Sequence, residues 1–217
     1  MSDPSEAAPA DDLDLLERWR KGDDVAGDTL VQRYYPAVRR FFANKVGEGI
    51  DDLVQATFLA VLHARERFRQ GSKVRTYVLG IARIELLRFL RKRHRGDRAM
   101  RTLESSVEEL MLTPGSLVAR RREQRLLLKA LRRLPLEQQM AVELHYWESL
   151  PLAEIAEILD VAEGTIKSRL GRARQALRER IQTMEQDPEL ARTTIDNLDR
   201  WASSLREEAQ TRQRDEE

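Results

Sequence analysis

The chain contains no cysteine, so neither a disulfide framework nor a thiolate metal site is available to it. Histidine is nearly as scarce: His63, His94 and His145 are scattered, with no spacing that suggests a metal site. There is no glycine-rich phosphate loop and no motif-spaced pair of carboxylates, which makes an enzymatic reading poor and leaves no cofactor expected. No apolar run approaches the length of a membrane span. The opening M-S-D-P-S-E-A-A-P-A-D-D lacks the basic start and apolar centre of a signal peptide. A cytoplasmic protein without membrane insertion is the expectation. Alternating β-branched residues never persist beyond a few positions, so strands have no source. The fold class that remains is all-α.

What the chain has in quantity is charge, 35% of residues, almost balanced to a net +1. The distribution is uneven. Between His63 and Arg101 basic residues crowd together, opposed only by Glu66, Glu85 and Asp97, whereas both ends of the chain are acid-rich. Such asymmetry points to a nucleic-acid surface flanked by acidic segments.

Apolar periodicity then divides the chain. Residues 1–11 read as a disordered leader. Helices are expected over 12–21 (with Leu13, Leu16 and Trp19 or Arg20 on alternating faces), 26–45, 50–64 and 73–94, the last capped by Ser72 and ending in R-K-R-H-R. These form a first domain, 12–95. Residues 96–116, with Thr113-Pro114-Gly115 and no sustained period, read as a linker. A second domain, 117–182, carries helices over 118–134, 136–148 and 151–159 and a fourth reaching about residue 182. Beyond it, 183–217 is an acidic extension in which Ala191, Ile195, Leu198, Ala202, Leu205 and Ala209 form an amphipathic stripe. That stripe suits either intramolecular docking or a regulatory helix that covers the basic surfaces.

The segment from Ser149 to Leu177 carries the most specific signal. Leu152, Ile155, Ala156, Ile158 and Leu159 recur at helical spacing, and Ala156 is small enough for two helices to cross there. Asp160-Val161 makes a turn, since aspartate tolerates left-handed backbone. In the next helix Ile166 and Leu170 face inward. Thr165, Lys167, Ser168, Arg169 and Arg172 then face out, with Arg174 beside them, and no acid intervenes between Gly164 and Gln175. This is the pattern of a helix-turn-helix, whose second helix enters the major groove of DNA. A merely solvated amphipathic face is the competing reading.

Three strings extend that picture. Asp52-Leu53-Val54-Gln55-Ala56-Thr57-Phe58 resembles D-L-V-Q-E-T-F, Tyr77-Val78-Leu79-Gly80-Ile81-Ala82-Arg83 resembles W-L-x-x-I-A-R, and Glu163-Gly164-Thr165-Ile166-Lys167-Ser168-Arg169-Leu170 resembles E-G-T-V-K-S-R-L. All three motifs belong to the sigma-70 family of bacterial RNA polymerase initiation factors, in its extracytoplasmic-function group. That group keeps two helical domains, regions 2 and 4, joined by a linker.

The resemblance implies a factor that binds core RNA polymerase and promoter DNA and directs promoter recognition, DNA opening and initiation. It implies that Asp51, Asp52 and Gln55 meet the polymerase, although the two aspartates also suit a helix N-terminus. It assigns the −10 element to the basic helix and its preceding loop: Arg75, Arg83, Arg88, Arg91 and Lys92 for charge, Phe68 and Tyr77 as aromatics, with a core role for Tyr77 as the alternative. The −35 element falls to Thr165, Lys167, Ser168, Arg169, Arg172 and Arg174. Two positions depart from the family's pattern: Ile84 stands where many members have Asn, and Arg88 where many have Asp. Tyr146 and Trp147 suit either polymerase docking or burial. An anti-sigma factor is a further partner by resemblance, though no residue identifies one. A stand-alone helix-turn-helix regulator is the alternative function, and the second basic surface argues against it.

Overall fold

The computed structural model describes residues 11–68, 72–93 and 122–185, together with Ala191, Arg192 and Thr194. Among these residues the continuous regular elements are eight α-helices and one short 3₁₀ turn, with Ala191, Arg192 and Thr194 helical beyond them. The four helices α1 (Asp12–Arg20), α2 (Asp24–Ala43), α3 (Ile50–Ala64) and α4 (Val74–Arg93) form a first bundle. The other four, α5 (Arg122–Arg132), α6 (Leu136–Tyr146), α7 (Leu152–Leu159) and α8 (Glu163–Met184), form a second, with α8 packed against each of its neighbours.

Local chemistry sets the boundaries of the first bundle. Gly22, at φ 93°, ends α1, and the Asp23 carboxylate accepts from the Ala26 amide at 3.2 Å to cap α2. Leu15, Leu16 and Trp19 bury the inner strip of α1, whereas Leu13 is exposed. It lies about 200° around the helix from Leu15, beyond the strip that α2 covers. Gly27 lets the Trp19 indole lie on the α2 backbone, for a Cβ there would come within 2.3 Å of Nε1. Gly49, at φ 78°, starts α3.

In the second bundle α8 runs two residues beyond the expected end, with Ile166, Leu170, Ala173, Leu177 and Ile181 all buried. Proline 135 sets α6 apart from α5 by opening it in extended backbone. The expected linker over 96–116 lies outside the described residues, as does most of 183–217. Of that extension Ala191 and Thr194 are helical and buried.

The bundles pack directly on each other, α4 against α7, and their buried apolar residues form one contiguous core. Charge is buried with them. Lys45, in the turn that follows α2, and Glu143 on α6, both essentially inaccessible, form an ion pair across the boundary.

Candidate nucleic-acid interface

The helix-turn-helix is built as its sequence requires. Ile155, Ala156, Ile158 and Leu159 are buried, and Asp160 closes α7 in left-handed backbone at φ 51°. Val161 is partly buried against the core. On α8, Lys167, Ser168 and Arg172 are exposed and Thr165 is partly so. The Ser168 hydroxyl donates back to the Gly164 carbonyl at 3.0 Å, which leaves its oxygen free to accept.

Two arginines of α8 are held by residues that the sequence did not single out for this task. Arg169 is only 17% exposed, and its Nη1 lies 2.9 Å from Glu137 in the first turn of α6. It sits on the flank of the helix between Ile166 and Ala173 rather than fully outward. Arg174 donates to the Tyr146 hydroxyl at 2.6 Å, with its guanidinium 5.6 Å from the ring centre. Tyr146 thus serves α8, and its neighbour Trp147 is buried. Nothing local links Glu137 to Arg169, so periodicity had no means of finding that pair.

On the first bundle the structure separates the expected −10 residues. Phe68 is buried, edge-on to Tyr77 with ring centres 5.2 Å apart. Arg20 seals it in: its guanidinium lies 5.9 Å from the ring centre and donates to the Phe68 carbonyl at 3.1 Å. Phe68 is therefore a core residue in this arrangement and offers no surface for a base. Tyr77 is half-buried, its hydroxyl has no hydrogen-bond partner, and burial pushes its pKa up. Arg83 is half-buried, Arg88 pairs with Glu85 at 2.6 Å, and Arg91 and Lys92 are exposed. Ile84 is exposed between them.

The start of α4 is covered by the second bundle. Arg75 pairs with Glu148, which also accepts from Arg40 at 3.0 Å. Lys73 reaches Glu154 at 2.6 Å, and Thr76 donates to the same carboxylate at 3.2 Å. Ser72, expected as a helix cap, instead donates to Glu157 at 2.6 Å, because α7 lies over it. Asp51, Asp52 and Gln55 on α3 remain exposed, and Leu59 extends their face one turn further.

Comparison with known proteins follows this division. Residues 30–96 match the model of Sigma-70 region 2, and residues 124–177 match that of Sigma-70, region 4. Together the two cover more than half of the chain. The ECF RNA polymerase sigma-E factor of Escherichia coli K12 is 28% identical over 179 residues, spanning 78% of this chain and 94% of that protein. Its Haemophilus influenzae counterpart is 29% identical over 182 residues, 80% of this chain and 96% of that protein.

Solved structures are similar as well. The sigma factor RpoE of Bartonella quintana, in complex with the anti-sigma factor NepR, has a TM-score of 0.54 and 27% identity over 70% of this chain and 95% of its own. CnrH, in complex with the cytosolic domain of CnrY, has a TM-score of 0.58 over 82% of this chain and all of its own. Its 21% identity makes that a likeness of fold. No helix among the described residues is long and apolar enough to cross a membrane.

Proposed function

The chain belongs to the sigma-70 family, in its extracytoplasmic-function group, and directs transcription initiation by core RNA polymerase; we propose that its two bundles divide the promoter between them. The first, residues 12–95, takes the −10 element and the polymerase. The second, 117–182, takes the −35 element. The protein has no catalysis of its own in this reading and works in the cytoplasm, where promoter DNA is.

On α8, Lys167, Ser168 and Arg172 supply donors and acceptors for base edges and phosphates in the major groove. Arg169 reads from the flank that Glu137 allows, and Arg174, steadied by Tyr146, holds the backbone. On α4, Arg83, Arg88, Arg91 and Lys92 hold the separated strand by charge, joined by Arg75 when the second bundle moves away. Ile84 has no hydrogen bond to give a base, so strand selection at that point rests on shape and on its cationic neighbours. Asp51, Asp52 and Gln55 offer an exposed, acid-led face of α3 to a basic polymerase surface. The extension over 183–217 is regulatory, and the buried Ala191 and Thr194 support its docking on the body. An anti-sigma factor is a further partner, supported by the likeness to RpoE in its NepR complex.

One observation carries this reading. The same chain presents a helix-turn-helix, a second basic helix and, within the D-L-V-Q-A-T-F string of α3, the exposed side chains of Asp52 and Gln55. A stand-alone regulator needs only the first. In vitro transcription with core polymerase and start-site mapping is the test. Transcripts that depend on the factor, lost on Asp52→Ala/Gln55→Ala while DNA binding by the isolated factor persists, are expected. Promoter binding unaffected by core polymerase, without initiation, would establish the stand-alone regulator instead.

A further inference from the structure

The boundary between the bundles is unusual in what it buries. Glu143, Glu148 and Glu154 of the second bundle are 3%, 7% and 14% exposed at their side chains, and each meets a cation of the first. Glu148 lies between two guanidiniums, those of Arg40 and Arg75. One anion shared by two arginines is how a phosphate of a nucleic-acid backbone is held. Lys73 and Ser72 extend the row to Glu154 and Glu157 on α7. The second bundle thus lays a line of carboxylates on a line of cations that begins at α2 and runs into the start of α4.

That arrangement cannot hold a promoter at both points. The two elements lie roughly 25 base pairs apart, about 85 Å at about 3.4 Å per pair, whereas α4 and α7 touch. Engagement requires the bundles to part, and parting returns the buried charges to water. The ion pairs of this boundary regain hydration when it opens, which offsets part of the cost of exposing the apolar residues packed beside them.

We propose that this closed arrangement competes with DNA: the glutamates of the second bundle stand in for backbone phosphates on Arg40, Lys73 and Arg75, so that nucleic acid and the second bundle exclude each other from the first. The proposal rests on the reading of the first bundle as a DNA-binding surface. It adds that the competitor is built into the chain. Asp51, Asp52 and Gln55 stay exposed in the closed arrangement, so that face of α3 is accessible before the bundles part.

Because the chain has no cysteine, two introduced ones report on closure. Dyes at Asp28→Cys on α2 and Gln182→Cys on α8, both exposed, give a transfer efficiency that falls when the bundles part. The probe is a single-stranded oligonucleotide of about 20 nucleotides at about 50 mM salt, with affinity read by anisotropy. The full chain should lose transfer as DNA binds. Glu148→Gln/Glu154→Gln should start with low transfer and bind roughly tenfold more tightly.

The exposed Lys73 serves if loss of buried Glu148 unfolds the second bundle, which circular dichroism reports. Glu154→Lys should open the chain and raise affinity, and adding Lys73→Glu should close it again and lower affinity. DNA bound with transfer unchanged, or opening with affinity within about twofold of the parent, would overturn the competition while leaving the DNA-binding surface in place. An opened chain with no affinity for the oligonucleotide would overturn both.

Discussion

Lys45 and Glu143, 98 residues apart in sequence, meet in the interior between the two bundles. The lysine also donates to the Phe41 carbonyl at 2.5 Å and lies 4.3 Å from the centre of the Phe41 ring. Gln139 donates to the other oxygen of Glu143 at 3.0 Å. Burial pushes the lysine pKa down and the glutamate pKa up, and each partner opposes the shift of the other.

A buried pair of this kind costs more when halved than when removed. Lys45→Met leaves Glu143 without its counter-ion and should lose about 3–5 kcal/mol in urea unfolding. Lys45→Met/Glu143→Leu should recover most of that loss, because neither buried charge then remains. Equal losses in the single and double variants would show that the pair supplies net stability.

Glu137 and Arg169 set a second expectation. Arg169→Ala should reduce discrimination of the −35 element by about 1–3 kcal/mol, measured as the ratio of affinities for the intact and the mutated element. Glu137→Gln releases the arginine. It should raise affinity for every duplex and steepen the salt dependence by about one charge, without improving that ratio. Equal loss on all sequences for Arg169→Ala would make it a phosphate contact.

The buried Phe68 gives a third. Phe68→Ala should destabilise the first bundle by about 3–5 kcal/mol in chemical denaturation, since the Tyr77 and Arg20 contacts close around a full aromatic ring. Unchanged stability with impaired DNA opening would instead return Phe68 to the role of a stacking residue.

Asp23 gives a dependence on pH. Its carboxylate is held below the ordinary aspartate range, first by the hydrogen bond from Arg18 and next by that from the Ala26 amide. A depressed folded pKa stabilises at pH values above the unfolded pKa, and that contribution disappears as pH falls through the folded value. Asp23→Asn keeps an oxygen for the cap but loses the charge. Its unfolding midpoint should therefore fall less than the parent's as pH drops below the ordinary aspartate range. Parallel curves would show that the Asp23 charge has no part in the acid response.

Local pattern carried far in this molecule. The helix-turn-helix was readable because each of its requirements is short-range: an apolar stripe within α7, a residue tolerant of left-handed backbone at Asp160, and another stripe within α8. The same reasoning misplaced Ser72, and it had no means of saying whether Leu13 or Phe68 would be covered. Periodicity says which residues share a face of one helix, but not which neighbour covers that face. Leu13 falls outside the cover of α2, Phe68 falls under Arg20, and Ser72 falls under α7.

The all-α class, the helices and their inner stripes, and the three strings that place the chain in its family are all legible along the chain. These depend on neighbours within a few positions along the chain. It is the packing of distant helices that sets Glu143 against Lys45, Glu148 between Arg40 and Arg75, and Glu137 on Arg169. Charged side chains carry no periodic mark of their partner. An ion pair between distant residues exists only once packing has brought two helices together and removed the water between them.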